Sequence, residues 1–593
     1  MKKFLPFLLL TIAVFGAYAP ALRDGFVWDD TALILRDPLI RSPRLIAEGF
    51  QHFLFTDATA SDFYRPIQRL TYTLEYAAFG LNPAGFHFTN IVCHLAAAIA
   101  VLFFAREFLR TCGMAERRSD VIALIAALIW AVHPVHSSAV VYISGRADPL
   151  AAVFGFAALY LGLLSFRATG RRALYLTSGS SVLFLLSALS KESGLIFSML
   201  WLALALALRA RATLRVLAVI ALVATSYLSL RMPAEHTAPP PPHHPPLLVR
   251  PILFARAVAE YAGVIVFPAN LRMDRDVETH PNGFGRESVT GAAWRELQTL
   301  VGIIVIAALV YWLLRARQHD RAAFLALLLA AITYLPISGI IPLNATVAEH
   351  WVYLPSAFLF LAVCISVDRF APQLQGIALP AVSACILLLA GRTFLRTFDW
   401  KDQRTFVERT IASGSDSVRM KVNLASLQIQ VGDLEAAKNS LTSALAKEPD
   451  QPLAVINRAA VAVKQNDFLT AHEFLARATK MPLVEARAYE MMAVLEFKET
   501  GHCNFLRLRL ATRTGASDWS IEKRFVQLLA ESGADDAAMN ELQHCLQTEW
   551  YRADSWQLLA QLAAKKGLRE QALVALERAE AYDVRLHDRP LTL

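Results

Sequence analysis

Eleven apolar segments follow one another through the first 391 residues, and they restrict the fold more than any other feature of the sequence. A helix that crosses a bilayer needs about 20 mostly apolar residues, and inside the hydrocarbon only helices and closed barrels satisfy their own backbone hydrogen bonds. Of the 593 residues, 55% are hydrophobic and only 18% are charged, so the composition favours a polytopic membrane protein over a soluble one. The predicted spans lie near residues 4–21, 87–105, 120–141, 148–166, 173–190, 194–208, 213–230, 298–314, 322–342, 351–367 and 376–391.

Arginine clusters orient these spans. Positively charged residues collect in cytoplasmic loops, and four arginine clusters share one side of the membrane if the N-terminus is cytoplasmic. Much of the arginine excess behind the net charge of +8 lies in such loops, so the charge indicates membrane orientation and not nucleic-acid binding. We therefore expect a multi-pass protein of a bacterial inner membrane with its C-terminal third outside the cytoplasm. The clusters are Arg106, Arg110, Arg117 and Arg118, then Arg167, Arg171 and Arg172, then Arg209, Arg211 and Arg215, and finally Arg315, Arg317 and Arg321.

Two long external loops, 22–86 and 231–297, follow from this topology. The second loop contains residues 252–267, an apolar segment that is short and interrupted by Arg256 and Glu260. A span here would place the later arginine clusters outside, so we interpret the segment as an interfacial or re-entrant helix. A further span at this position is the alternative that the sequence leaves open.

A rhythm of about 34 residues begins near Ser417, where the hydrophobicity drops. Small residues recur where paired helices approach closely, and each unit needs its neighbours to bury its apolar face. We expect an all-α fold in which a transmembrane domain (1–395) and a linker (396–416) precede a tetratricopeptide-repeat α-solenoid (417–593) of about five repeats. The concave face of such a solenoid usually holds a peptide or partner protein, and a purely structural role is the alternative.

Ionisable residues mark the external ends of many predicted spans. The carboxylate pair Asp29-Asp30 follows the first span, and Arg65, Arg146 and Lys191 lie on the same side of the membrane. Carboxylates are costly in hydrocarbon, so at its edge they are often functional. An aspartate can take a proton from a hydroxyl, and arginine and lysine match the oxygens of a phosphate. The alternative is that these groups are helix caps and interhelical ion pairs.

The order of these motifs resembles the membrane glycosyltransferases of the C superfold (GT-C), and most closely the transmembrane and tetratricopeptide-repeat O-mannosyltransferases and their bacterial relatives. The resemblance covers nearly the whole chain. The chain departs from that pattern at His350-Trp351, where an arginine is usual, and in its short repeat tail, which leaves the acceptor open. The shared marks are Phe26-Val27-Trp28-Asp29-Asp30, Tyr64-Arg65-Pro66, Asn82-Pro83 with His87 and Asn90, His133-Pro134-Val135-His136, Ile143-Ser144-Gly145-Arg146-Ala147-Asp148, Ser190-Lys191-Glu192, Glu349 with Tyr353-Leu354-Pro355-Ser356, and Trp400.

The resemblance implies a polyprenyl-phosphate sugar donor and inverting transfer, on the external face, to a hydroxyl of an acceptor protein or glycan. Mannose and protein serine or threonine are among the expected partners. A phosphate leaving group needs positive stabilisation, and inversion needs one base opposite that group. By resemblance the base comes from the first-loop acidic motif, as Asp29 or Asp30, and our candidates for phosphate binding are Arg65, Arg146 and Lys191. The supporting residues we expect are His87, His133, His136, Asp148, Glu192 and Glu349.

Two other function classes remain open at this point. A membrane-anchored repeat scaffold would assemble envelope partners without catalysis, and a transporter of lipid-linked sugars would need ionisable groups near the bilayer midplane. The charges lie mainly at span ends, which disfavours transport. Metal dependence is also open, because an Asp-Asp pair with nearby histidines fits Mg²⁺ or Mn²⁺ loosely.

Overall fold

The computed structural model describes residues 4–56, 62–234, 249–275, 277, 293–340, 343, 345–370, 377–515 and 518–588. Within these ranges the chain is helical and contains no β-strand, which confirms the predicted all-α fold. The α-helices that precede the repeats are α1 Leu5–Tyr18, α2 Ile46–Gly49, α3 Pro66–Phe79, α4 Pro83–Thr111, α5 Glu116–Val132, α6 Ser137–Val140, α7 Ala147–Arg167, α8 Gly170–Ser190, α9 Ile196–Ala207, α10 Thr213–Arg231, α11 Arg250–Val266, α12 Ala293–His319, α13 Arg321–Tyr334, α14 Tyr353–Phe370, α15 Ala378–Thr397 and α16 Gln403–Ala412.

All eleven predicted spans coincide with helices. Among the described residues, eight helices are long and apolar enough to cross a membrane, and a ninth candidate joins α5 to Pro134–Val140 across a bend of 52°. The bend falls where Pro134 removes a backbone donor and crowds the preceding turn. Two shorter apolar helices, Glu192–Ala207 and Arg321–Ile337, occupy the remaining predicted positions. The protein is therefore a multi-pass membrane protein.

Helix α11 covers most of the segment whose course the sequence left open. It has 17 residues and packs along α12. The Arg256 side chain is fully buried between these two helices, where it donates to the hydroxyl of Thr299 and to Glu296. Neither an interfacial position nor a further span follows from these contacts, so the interfacial or re-entrant interpretation stays a prediction. Most of the rest of loop 231–297 lies outside the described residues.

The first external loop is held together by one buried arginine. Arg69, on α3, forms an ion pair of 3.0 Å with Asp37, and both side chains are buried. The same guanidinium donates to the carbonyl oxygens of Gly49, His52, Phe53 and Leu54. Arginine presents five N–H donors in a fixed plane, so one side chain can satisfy a whole turn of buried carbonyl groups. These bonds fix the loop above the membrane helices.

The described part of the chain after residue 417 contains five consecutive helix pairs. Left-handed residues end the first helices of the first three pairs, namely Gly432, Asn466 and Gly501 with φ of 84°, 58° and 76°. This conformation suits glycine and asparagine and stops a helix sharply. The pairs are α17 Val418–Val431 with α18 Leu434–Lys447, α19 Pro452–Gln465 with α20 Phe468–Ala478, α21 Glu485–Thr500 with α22 Phe505–Arg513, α23 Trp519–Glu531 with α24 Asp535–Thr548, and α25 Ala553–Lys565 with α26 Arg569–Tyr582.

Both ends of the solenoid contact the first external loop. At the start, the guanidinium carbon of Arg419 on α17 lies 5.9 Å from the centre of the Trp28 ring, and on the preceding helix α16 Gln403 accepts the backbone N–H of Trp28 at 2.6 Å. At the far end, the Tyr76 hydroxyl donates to Asp583 at 2.8 Å, and Arg585 donates to backbone carbonyl groups at the end of α3. The solenoid is therefore anchored at both ends. The domain boundaries at 395 and 417 stay a prediction, and the predicted linker contains α16.

Candidate functional site

A cavity of about 940 Å³ lies where the first external loop, several helix ends and the start of the solenoid meet. Its polar lining comes from extramembrane turns and helix ends, whereas its apolar lining includes Ile196, Met199 and Ile220 from apolar helices. The cavity thus combines charged groups with a wall of the kind that contacts lipid. The polar lining residues that matter below are Asp29, Arg65, Tyr142, Asp148, Lys191, Glu192 and Arg419.

The two aspartates of the first loop have different surroundings. Asp30 is fully buried and accepts hydrogen bonds from the backbone N–H of Val27 at 3.0 Å and from the N–H and hydroxyl of Ser144 at 2.8 and 2.5 Å. Burial raises the pKa of Asp30 to about 7, although these donors oppose the shift. Both oxygens of Asp30 are occupied, so this carboxylate holds the loop in place.

Asp29 is the aspartate that faces the cavity. Its carboxylate is hydrogen-bonded to the Tyr142 hydroxyl, which also accepts the backbone N–H of Asp29 at 3.1 Å. Burial raises the pKa of Asp29, and the hydrogen bond with Tyr142 and the positive charges of Arg419 and Arg65 oppose that shift. A carboxylate with a raised pKa, open to a cavity, has the properties of a general base.

The residue just before the two carboxylates has an unusual backbone conformation. Trp28 has φ of 50°, a left-handed value that is rare for a bulky residue. Its ring packs against Phe406, and its N–H is bound to Gln403, so contacts with α16, the helix before the repeats, hold this conformation. The turn at Trp28 leads directly into the pair, with Asp29 at the cavity and Asp30 in the interior.

Two ion pairs contribute positive charge to the cavity wall. The Arg65 Nε lies 3.0 Å from Glu192, whose other oxygen accepts the backbone N–H of Tyr64. The Lys191 Nζ lies 2.6 Å from Asp148. All four charged side chains line the cavity, so an anion that enters it would meet two cations with fixed positions together with the carboxylates that pair with them.

Two glycines allow the helix ends that carry these charges to pack closely. A Cβ on Gly145 would lie 2.6 Å from the carbonyl oxygen of Ser138, and one on Gly194 would lie 2.2 Å from that of Ser187. Both contacts are with backbone, which cannot move aside cheaply. Glycine is therefore required at each turn, and the turns place the neighbouring Lys191 at the cavity.

Arg146 lies away from the cavity lining, unlike the other two phosphate candidates. Its guanidinium is fully buried, where it forms an ion pair with Glu75 and donates to Asn90, to the Thr71 hydroxyl at 3.0 Å and to the Phe86 carbonyl at 2.8 Å. All of its donor groups therefore point into protein. The geometry gives Arg146 a role in holding α3 against α4, and its expected phosphate role has no support in this arrangement.

The three histidines of the predicted site are also buried away from the cavity lining. His133 Nε2 lies 3.0 Å from the carbonyl of Ile265, and His136 Nε2 lies 3.0 Å from the Ser356 hydroxyl. His87 Nε2 lies 3.4 Å from a backbone carbonyl of the first external loop. These contacts tie helices and loops together, and the expected supporting role of the histidines stays a prediction.

Glu349 is fully buried behind the cavity, where it accepts from the backbone N–H of Arg272 and from Arg275 at 3.2 Å. Arg396 lies 3.6 Å from its second oxygen. The next residue, His350, lines the cavity at the position where the resembled family usually has an arginine. Glu349 therefore anchors the turn that presents His350.

Tyr142 and Arg419 are cavity residues that the motifs did not predict. Tyr142 directly precedes the run Ile143–Arg146, and its ring stacks on Trp400 at 5.5 Å, so its proximity to a recognised motif was a usable signal. Arg419 stands at the start of the first repeat, 390 positions after Asp29, and no sequence pattern connects the two.

The aspartate pair does not fit a chelated Mg²⁺ or Mn²⁺. Asp30 gives both oxygens to N–H and O–H donors, which leaves Asp29 as the one carboxylate of the pair turned toward the cavity. Among the described residues, three metal-ligating side chains come together only in the repeat domain, at Glu522, Cys545 and Glu549. No step below depends on a metal.

Comparison with known proteins agrees with this architecture. A protein O-mannosyl-transferase of Caenorhabditis elegans is 25% identical to the chain over 446 residues, which is 73% of this chain and 61% of that protein. The chain is a homologue of the protein O-mannosyl-transferases. Protein O-mannosyl-transferase TMTC3 is 24% identical in Mus musculus and 23% in Homo sapiens, over 74% of this chain and 51% of each relative. The chain thus spans half to three fifths of the length of these O-mannosyl-transferases.

The chain was also compared with family models and with solved structures. No family model matches the chain. A solved structure described as that of YrrB, a TPR protein with an unusual peptide-binding site, is 20% identical, with a TM-score of 0.21, and covers 30% of this chain and 94% of that one.

Proposed function

We propose that this protein is an inverting glycosyltransferase that moves a sugar from a polyprenyl-phosphate donor to a hydroxyl of a polypeptide on the external face of the membrane. Mannose and a serine or threonine acceptor are the specific partners, in line with the names of the relatives. The observation that carries the proposal is the cavity in which Asp29 meets two fixed cations and an apolar wall.

The donor is proposed to bind with its phosphate at Arg65 and Lys191 and its lipid chain along the apolar wall. Guanidinium and ammonium groups bind phosphate oxygens strongly where water is excluded, and they stabilise the charge that develops on a departing phosphate. The wall residues come from helices that are apolar enough to lie in lipid, so a lipid-linked substrate can enter sideways. A soluble nucleotide sugar would have no use for such a wall.

Asp29 is proposed to be the base. The acceptor hydroxyl loses its proton to the Asp29 carboxylate as its oxygen forms a bond with the anomeric carbon and the bond to the phosphate breaks. The electron pair of the broken bond leaves with the phosphate, next to Arg65 and Lys191. One base on the opposite side of the sugar from the leaving group produces inversion. The Tyr142 hydroxyl holds the Asp29 carboxylate in position for this step.

The proposed external orientation is supported by the arginine clusters, which favour a cytoplasmic N-terminus. The first external loop, the cavity and the repeat domain then share the opposite side, the periplasm if the host is bacterial. Cysteine labelling of intact cells at position 44, which is exposed on this loop, provides a direct check of the orientation.

Replacing Arg65 with glutamine is expected to raise the KM for the polyprenyl-phosphate donor by about 10- to 100-fold, since one charge-assisted contact to phosphate is lost. Glu192 keeps its bond to the Tyr64 N–H, so the wall itself is expected to persist. Initial rates at varied donor concentration measure the effect. Arg44→Gln, an exposed arginine in the same loop, is the matched control, and an unchanged donor KM in Arg65→Gln would contradict the phosphate assignment.

The overall activity is tested with the purified protein in lipid vesicles, polyprenyl-phosphate mannose and a mixture of serine- and threonine-containing peptides. A mass increase of one hexose on a peptide is the expected result. If Asp29→Asn had no effect on the function of the protein in cells, and no hexose transfer occurred in vesicles, the non-catalytic scaffold would be the better account.

A further inference from the structure

The first repeat helix is part of the cavity wall. Helix α17 begins beside the cavity, where the Ser417 hydroxyl caps it by accepting from the Met420 N–H at 3.1 Å and donates to Asp274, which lines the cavity. Just before the helix, Arg272 donates to the Ser413 carbonyl. The repeat domain is therefore fastened to the membrane domain at the point where it meets the site.

Arg419, in the first turn of α17, is the cavity residue that the repeat domain supplies. Its guanidinium carbon lies 5.9 Å from the centre of the Trp28 ring, and the side chain is exposed to solvent as well as to the cavity. Its positive charge acts on Asp29, as does that of Arg65. The proposed base thus has one arginine from the membrane domain and one from the repeat domain near it.

These two arginines lie on different kinds of surface. Arg65 lines the cavity together with Lys191 and Glu192. Leu195 and Ile196, which follow Glu192 in the chain, are part of the apolar wall. Arg419 instead projects from a water-facing solenoid whose far end is tied to α3 through Asp583. Under the proposed function, a lipid-linked donor would reach the site along the apolar wall, and a polypeptide would reach it from the solenoid.

We propose that Arg419 is an acceptor-binding residue whose guanidinium donates to a carbonyl or carboxylate oxygen of the polypeptide that presents its hydroxyl to Asp29. This inference rests on the proposed transferase function. Arginine suits such a task because its planar N–H groups can hold a backbone or side-chain oxygen in two directions at once. Since both ends of the solenoid are anchored, a polypeptide that binds at the first repeat is held in a fixed position relative to the base.

The test compares wild type, Arg419→Gln, Arg419→Lys and the control Arg404→Gln. Arg404 is an exposed arginine on the neighbouring α16 that pairs with Glu408 and does not line the cavity. Transfer rates are measured at varied acceptor and varied donor concentrations, with one peptide that is neutral and one that carries acidic residues beside the threonine. Binding of the labelled peptides without donor is followed by fluorescence anisotropy, which needs no catalysis.

For Arg419→Gln we expect an acceptor KM and a peptide Kd that are about 10-fold higher, with donor KM unchanged and partial recovery in Arg419→Lys. A loss confined to the acidic peptide identifies a carboxylate as the contact, and an equal loss for both peptides identifies a backbone carbonyl. The charged and titratable groups that act on Asp29 are Asp30, Tyr142, Arg65 and Arg419. Removal of Arg419 takes away a positive charge that lowers the pKa of Asp29, so this pKa rises. The acid limb of the plot of transfer rate against pH should therefore move to higher pH.

Other outcomes overturn the inference. A higher donor KM with unchanged acceptor KM would make Arg419 a donor contact, and unchanged values for both substrates would leave it without a role in binding. If wild type binds the peptides but transfers no sugar, the proposed function fails, and so does the inference that rests on it. If wild type transfers sugar and Arg419→Gln behaves like Arg404→Gln, the inference alone fails.

Discussion

Replacing Asp29 with asparagine is expected to lower sugar transfer by about 100- to 10,000-fold, the range that a general base typically contributes. The amide has nearly the same shape and can still meet the Tyr142 hydroxyl, but it cannot accept the proton of the acceptor. The loss should appear in kcat, with little change in donor KM, because Arg65 and Lys191 keep their positions. Single-turnover transfer in vesicles measures it.

Asp62→Asn is the matched control, because Asp62 is another aspartate that lines the cavity and has no role in the proposed chemistry. Its transfer rate should stay near that of wild type. Asp30→Asn is a different case, since an amide there would place an N–H₂ group against the N–H of either Val27 or Ser144 and so weaken the loop. A fully active Asp29→Asn would contradict the assignment of Asp29 as the base.

Replacing Arg146 with methionine is expected to lower the free energy of unfolding by about 3–5 kcal/mol, because Glu75 is left as an uncompensated buried charge. The Phe86 carbonyl would also lose its bond to the guanidinium. Denaturation in detergent micelles, followed by tryptophan fluorescence, measures the change. Donor KM of the protein that remains folded should match that of wild type.

The double variant Arg146→Met with Glu75→Gln is the control for this second prediction. It removes both charges together, so it should recover part of the stability that the single variant loses. If Arg146→Met were as stable as wild type and instead raised the donor KM, the structural role would be refuted and the phosphate role would return.

Hydropathy predicted the positions of the membrane helices, because bilayer thickness fixes the length of a span and leaves the chain few choices. Even the bent helix at Pro134 and the short helix Arg321–Ile337 fall where the apolar segments were expected. The repeats were equally predictable, since small residues must recur wherever helix pairs pack closely. The local pattern of apolar and small residues determines both the membrane helices and the repeats.

Which of Asp29 and Asp30 faces the cavity could not be predicted, because the two residues are adjacent and chemically identical. The difference comes from Ser144, which is 114 positions away and donates twice to Asp30. The left-handed conformation of Trp28 adds to it and depends on Gln403, another distant residue. Such contacts exist only in the folded chain.

Arg146 shows the same limit from the other direction. Its neighbour Asp148 lines the cavity, yet Arg146 turns toward Glu75 and Asn90. The short turn Ile143–Arg146 decides which side chains face inward, and the motif alone carries no such information. The position of Arg419 in the site could not be predicted for a related reason, since it depends on how the solenoid packs against the membrane domain.

The anomeric configuration of the transferred sugar tests the central claim most directly. With a donor whose mannose is β-linked to polyprenyl phosphate, the account predicts that wild type forms an α-linked mannose on a serine or threonine hydroxyl, because Asp29 activates that hydroxyl on the face opposite the phosphate. Nuclear magnetic resonance of the glycopeptide and digestion by a linkage-specific mannosidase both report the linkage. A β-linked product would contradict inversion with a single base at Asp29.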